Sequence, residues 1–379
     1  MVSASPASTR SWQSPTPIAP GERGSALASR SPATTWARSN VSIAFLPRRL
    51  LLWVLTTGFL FPFATLDASP GDDKRAELRK RVYHVEPAGP LLLASTELGR
   101  SVLSASDPAQ PTAIAEIEFP VSVVSTTFAS GLAWVCAGPY GLVSVDLFDP
   151  RRPRKVGHLD TAGSASQVVV RGKTACLADG SMGILVLDVS DPAAPRELKR
   201  IATEDYARGV ALSGQTLVTA EDRAGVRVLD VRDPARPEPV VSLALPGQAR
   251  AVIAQEDVVY VALGTAGVGA VQLSPVPRLL WTIPTQDTAR GLALHGKSHL
   301  VVAVSSAGFN IYSLQETPPR LLSTTPGTEA PAVRVAVVQD YLYVSFDYGG
   351  LYVYDVKNPL TPMQYPSGGH KGLTPHPPR

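Results

Sequence analysis

From about residue 82 to residue 366, apolar positions come in runs of four to six, each closed by glycine, proline, aspartate or asparagine. One stretch shows the pattern clearly. Residues 167–170, 174–178, 184–189 and 197–202 read as four strands, parted by turns at 171–173, 179–183 and 191–195. The middle strands are apolar at consecutive positions rather than alternate ones, so both of their faces need cover. No stretch carries a helical apolar face long enough for a crossover helix, which argues against alternating β-α units and a parallel sheet.

The unit recurs. Gly183 opens G-I-L-V-L-D-V-S-D-P-A-A-P, Gly225 opens G-V-R-V-L-D-V-R-D-P-A-R-P, and Gly141 and Gly350 open close copies. Weaker copies begin at Gly99, Gly267 and Gly308, so the spacings are 42, 42, 42, 42, 41 and 42. Some 42 residues hold four short strands, and sheets apolar on both faces are stable only when stacked on neighbours. The prediction is an all-β chain. Residues 82–366 form a seven-bladed β-propeller of four-stranded antiparallel blades, with the first strand of each repeat innermost. An open β-solenoid is the competing architecture, but no half-period of 21 residues is visible. The last repeat has a poor fourth strand, and V-Y-H-V at 82–85 opens the first. The ring therefore closes by packing alone, or residues 72–81 add an outer strand to the last blade.

The repeats are preceded by other material. Residues 1–49, rich in Ser, Ala, Pro and Arg, lack apolar periodicity and are expected to be disordered or to reflect a start assigned too early, true initiation lying nearer Val41. Arg48 and Arg49 then head an apolar run at 50–66, and small and polar residues follow. That order matches a secretory signal over residues 50–68, and 17 residues with Pro62 inside are short for a span, which needs about 20. Export to the periplasm, outer surface or exterior is expected. Anchoring through 50–66, with 1–49 in the cytoplasm, is the alternative. Residues 69–81 read as a linker, and 367–379 as a disordered tail.

The quoted phrases, an apolar strand ending in Asp and then an Asp-Pro turn, resemble the LVIVD repeat. The likeness covers 82–366. It is strong in repeats two, three, four and seven. It is weak in repeat five, where Gln272 and Ser274-Pro275 replace the two aspartates, and in repeat six, with Ser313 and Thr317-Pro318. The resemblance implies an exported or surface propeller of bacterial type with no assigned activity, and it carries no catalytic residues over.

Charge excludes one class of function. A net charge of +3 with 18% charged residues leaves no electrostatic footprint for nucleic acid. Asp107, Asp149, Asp191, Asp233 and Asn358 each precede proline, where a short side chain accepting a nearby N–H and a preset φ make a turn; calcium is the remote alternative. Cys136 and Cys176 lie in apolar strands of neighbouring repeats, as buried thiols or as an inter-blade disulfide. The histidines, His84, His158, His295, His299, His370 and His376, share no repeat register and no ligand spacing, so no metal or cofactor is expected.

One series suggests binding. Arg208, Arg250, Arg290 and Arg334 stand just before the first strand in four successive repeats. With that strand innermost, they gather at one mouth of the ring, beside the turns 179–182, 221–224, 264–266 and 346–348. A cationic half-ring there would hold a carboxylate, a phosphate or an acidic peptide by forked hydrogen bonds. The alternative is inter-blade pairing of each arginine with Glu204, Asp205, Glu221, Asp222, Asp287, Glu329 or Asp347. Gly209, Ala251, Gly291 and Val335 follow these arginines and let the inner strands crowd the axis. The expected function is a non-enzymatic, monomeric binding scaffold of the cell envelope or surface, with a protein or anionic ligand as partner. A hydrolase or oxidoreductase with its site in repeats five and six, and a purely structural envelope module, are the rivals.

Overall fold

The computed structural model describes residues 82, 84–96 and 99–366. The signal or anchor segment, the linker and the tail lie outside them. Seven four-stranded antiparallel sheets follow one another along the chain, each with its strands in sequence order. Strand edges fall close to the sequence reading. In blade 3 they are Gln167–Arg171, Thr174–Ala178, Ile184–Asp188 and Arg196–Ile201. Blades 1 to 6 each carry a register shift between the third and outer strands, as at Val186/Leu187 and Val228/Leu229. A bulge of this kind raises the local twist that a radial blade needs. Blade 7 ends on a two-residue outer strand, Met363–Gln364.

The apolar faces explain the stacking. Buried residues sort into seven clusters, and each cluster joins two adjacent blades. Within one strand the faces divide. Ala175 and Leu177 pack toward blade 2, while Cys176 and Ala178 pack toward blade 4. The seventh cluster sets Val82, Val85, Leu92 and Leu103 against Ala336, Tyr343 and Val353. Two hydrogen bonds reinforce it, from the Tyr343 hydroxyl to the Pro108 carbonyl at 2.9 Å and from the Val82 amide to the Asp347 carbonyl at 3.2 Å. Blade 7 takes its outer strand from its own repeat, so the described residues close the ring by packing.

The repeat residues have assignable jobs. Gly225 has φ 89°, and a Cβ there would come 2.2 Å from the Leu243 carbonyl oxygen, so the start of the third strand admits no side chain. The strand aspartates Asp146, Asp188, Asp230 and Asp355 accept the amide two residues on. Asp107, Asp149, Asp191, Asp233 and Asn358 do the same one turn later, at 2.9–3.1 Å. Turn building accounts for this acidic pattern. The cysteines are free and buried. Cys136 faces the cluster between blades 2 and 3, and Cys176 the one between blades 3 and 4, so a sheet separates them. Burial pushes both thiols up to about 12.

Candidate functional site

The mouth is stitched by backbone. The turn after each second strand bridges to the residue entering the next inner strand: Gly138 to Ala165, Gly180 to Ala207, Asp222 to Ala249, Gly264 to Ala289 and Ser305 to Ala332. The position after each of these alanines faces the axis. It is Ser166, Arg208, Arg250, Arg290 and, in blade 7, Val333. These residues, with Val124, Tyr206 and Arg334, help to line a cavity of about 270 Å³. The four arginines singled out in the sequence therefore do converge.

Arg334 differs from the others by one step. It lies two residues after Ala332, and it pairs with Ser345 as Gly209 pairs with Ala220 and Gly291 with Ala303. The counterpart of Gly209, Ala251 and Gly291 is therefore Arg334 and not Val335. Blade 6 has the same irregularity, between Ala289 and Gly291, so the difference lies in the sequence: Val333 holds the station of Arg208, Arg250 and Arg290. Arg290 and Arg334 also lie inside their inner strands, Ala289–His295 and Ala332–Val338, rather than ahead of them.

Inter-blade pairing with acids fails as a general account. Arg208 does meet Asp222, through Nε at 2.6 Å and Nη2 at 2.5 Å, but Asp222 belongs to the same blade. The Arg208 guanidinium also sits 5.1 Å from the centre of the Tyr206 ring. Arg250 donates to Gln248 Oε1 at 2.6 Å, and Arg334 donates to the Arg290 carbonyl at 3.0 Å. The Nε atoms of Arg250 and Arg290 are buried without a partner. Among the described residues, none of Arg250, Arg290 and Arg334 forms an ion pair. Burial lowers the Arg250 pKa, with the charges of Arg208 and Arg290 adding to the effect and Asp222 partly opposing it. Burial and then the Arg290 charge lower that of Arg334.

Three of the other acids expected to neutralise them are engaged elsewhere. Asp205 accepts the amides of Tyr206 and Arg223. Glu221 holds Thr219, Arg227 and the Glu204 amide. Asp287 accepts from the amides of Thr288 and Ser306 and from the Ser306 hydroxyl, which pull its carboxyl down to about 2.

A second cavity, of about 300 Å³, continues down the axis and shares Arg334 with the first. One register of the inner strands holds His84, Ser125, Gln167, Gly209, Ala251, Gly291 and Arg334. Of these, His84, Ser125, Gln167, Ala251 and Arg334 line this cavity. Glu86 lies two residues deeper, on one side, and Ile253, Leu292, Leu294 and Val337 supply an apolar side. His84 Nε2 is 3.7 Å from Glu86 Oε2, too long for a hydrogen bond, and neither ring nitrogen has a partner. Burial lowers the His84 pKa; Glu86 opposes this, and Arg334 and Arg100 add to it.

Two groups near the axis escaped the sequence reading. Glu86 did so because the first inner strand was placed at 82–85, whereas it runs His84–Ala88. Arg100 is 1% exposed and donates to the Ser95 hydroxyl at 2.5 Å and the Leu93 carbonyl at 2.8 Å. Burial pushes its guanidinium down to about 9. The repeat held the signal, since the residue after the opening glycine is Leu142, Ile184, Val226, Val268 or Phe309 in the following repeats. Among the described residues, no group of three or more His, Cys, Asp or Glu could hold a metal ion, and no helix is long and apolar enough to cross a membrane.

Comparison with known proteins agrees with this architecture. No curated protein matches the chain. Among solved structures, Sqt1 of Saccharomyces cerevisiae superposes with a TM-score of 0.59 at 10% identity, over 74% of this chain and 83% of that one. The computationally designed protein Ika8 gives 0.58 at 10% identity, over 72% and 83%. At such identity the likeness concerns the fold alone. The LVIVD repeat model matches residues 162–203 and 331–364, which hold the strands of blade 3 and of blade 7. The chain is thus a seven-bladed β-propeller in which blades 3 and 7 match the LVIVD repeat.

Proposed function

We propose that this propeller is a binding scaffold whose mouth takes a small carboxylate or phosphate. One observation carries the reading: three half-buried guanidiniums, those of Arg250, Arg290 and Arg334, share one cavity with no carboxylate partner among the described residues. Like charges held together at the cost of desolvation are a stability penalty, and an anion with forked acceptors relieves it. The sheltered cavity also makes each contact stronger than it would be in open solvent. The export-type order of residues 48–68 supports a setting at or outside the cell envelope.

Calorimetric titration of the full chain with inorganic phosphate and with propanoate tests this. Binding by at least one of them is expected, weakening as ionic strength rises. The Arg250→Gln/Arg290→Gln double variant should bind at least about tenfold more weakly, since each hydrogen bond to a charged group contributes about 1.5–3 kcal/mol. Silence from both anions, or unchanged affinity in the double variant, overturns the reading.

A further inference from the structure

The channel below the mouth has a charge pattern that an anion alone does not satisfy. Its rim carries Arg334, and its wall carries Glu86 on the inner strand of blade 1. The register places Glu86 two residues beyond the ring that holds Arg334 and His84, which along an extended strand is about 6–7 Å. Glu86 forms no hydrogen bond and meets no cation among the described residues other than His84. His84 does not supply a steady charge, because burial favours its neutral form. Arg100 lies near enough for Glu86 to favour its charged form, but its Nη atoms are engaged by Ser95 and Leu93. Ile253, Leu292, Leu294 and Val337 make much of the remaining wall apolar. At the same register the Gln167 amide reaches into the space that a Gly209 side chain would take, and a Cβ at Gly291 would meet the backbone of Val333 and Arg334, so both glycines let neighbouring inner strands approach.

We propose that mouth and channel together form a site for a short zwitterion, a carboxylate and an ammonium joined by a methylene spacer. The carboxylate lies among Arg250, Arg290 and Arg334, the spacer lies against the apolar wall, and the ammonium reaches Glu86. This rests on the anion-binding reading above and adds to it the second charge and the spacer. A cavity of this size suits a ligand of fewer than about ten heavy atoms, well below drug size. An ordinary fatty acid fits worse, because its tail would strip water from Glu86 and leave that carboxylate without a partner.

The test compares 5-aminopentanoate with hexanoate, which has a methyl group in place of the ammonium. Titrated into the full chain, 5-aminopentanoate should bind at least tenfold more tightly. In Glu86→Gln that advantage should shrink to less than about twofold, because 5-aminopentanoate loses its counter-charge and hexanoate no longer desolvates a carboxylate. Melting curves confirm that the variant is folded, and the comparison in the unmodified chain decides the matter even where it is not. Hexanoate binding as tightly as 5-aminopentanoate overturns the zwitterion and leaves the anion site standing, as does an advantage that persists in Glu86→Gln. Failure of both compounds, together with phosphate and propanoate, removes the anion site and the zwitterion with it.

Discussion

Tyr343→Ala is expected to destabilise the propeller by about 3–5 kcal/mol, the range for removing a large buried aromatic side chain. Tyr343 is fully buried in the second strand of blade 7, Tyr341–Phe346, and packs on Val85, Leu92 and Leu103 of blade 1. Its hydroxyl reaches the Pro108 carbonyl, 235 residues away in sequence. Every other interface joins blades adjacent in the chain, whereas this one must hold the two ends of the ring together. Loop-closure entropy therefore weighs on it most heavily. Tyr343→Phe should lose only the hydrogen bond, about 1 kcal/mol. Denaturant melts of the two variants check both values. A cost for Tyr343→Ala no larger than for Tyr343→Phe would mean that the ring does not close where blades 1 and 7 meet.

The second large effect is expected at Glu221, which is 2% exposed. Its carboxylate accepts from Arg227 at 2.8 Å, from Thr219 at 2.7 Å and from the Glu204 amide at 3.1 Å. Glu221→Ala leaves the largely buried Arg227 uncompensated and should cost about 3–5 kcal/mol. The paired change Glu221→Leu with Arg227→Leu should recover most of that loss, because a buried ion pair is often replaceable by apolar packing. The repeat itself supplies the precedent. The amide at this station bonds to the opening glycine in six blades, and the residue is Leu263 in blade 5 and Val304 in blade 6. Thermal melts of the single and double variants distinguish a stabilising pair from a merely tolerated one.

The fold was readable because its determinants are local and repeated. A glycine that admits no Cβ, an aspartate that caps the next turn and a proline that sets φ recur at one spacing, so the outer limits of each strand followed. Closure was not readable, because the contact between Tyr343 and Pro108 obeys no repeat. The mouth was legible in part. Counted back from the opening glycines, Arg208 and Arg250 stand 17 residues ahead, Arg290 18 and Arg334 16. The offset of Arg334 was therefore present in the spacing, and the structure puts Val333, not Arg334, at the station of the other three. Glu86 was hidden because starting the first inner strand two residues early left it in a presumed turn. Arg100 occupies a station that is apolar in the next five repeats, and an alignment of repeats exposes it where a search for ligand clusters does not.

The account depends on guanidiniums held close together without a counter-charge, and Arg290 offers the clearest probe, since its Nε is buried without a partner. The decisive measurement is the melting temperature of Arg290→Gln against the unmodified chain at low ionic strength without added ligand. Relief of like-charge repulsion should raise it by roughly 1–2 °C, the scale set by about 1 kcal/mol in a fold of this size. A fall of similar or greater size would show that Arg290 fastens the ring, and the proposed anion site would lose its physical basis.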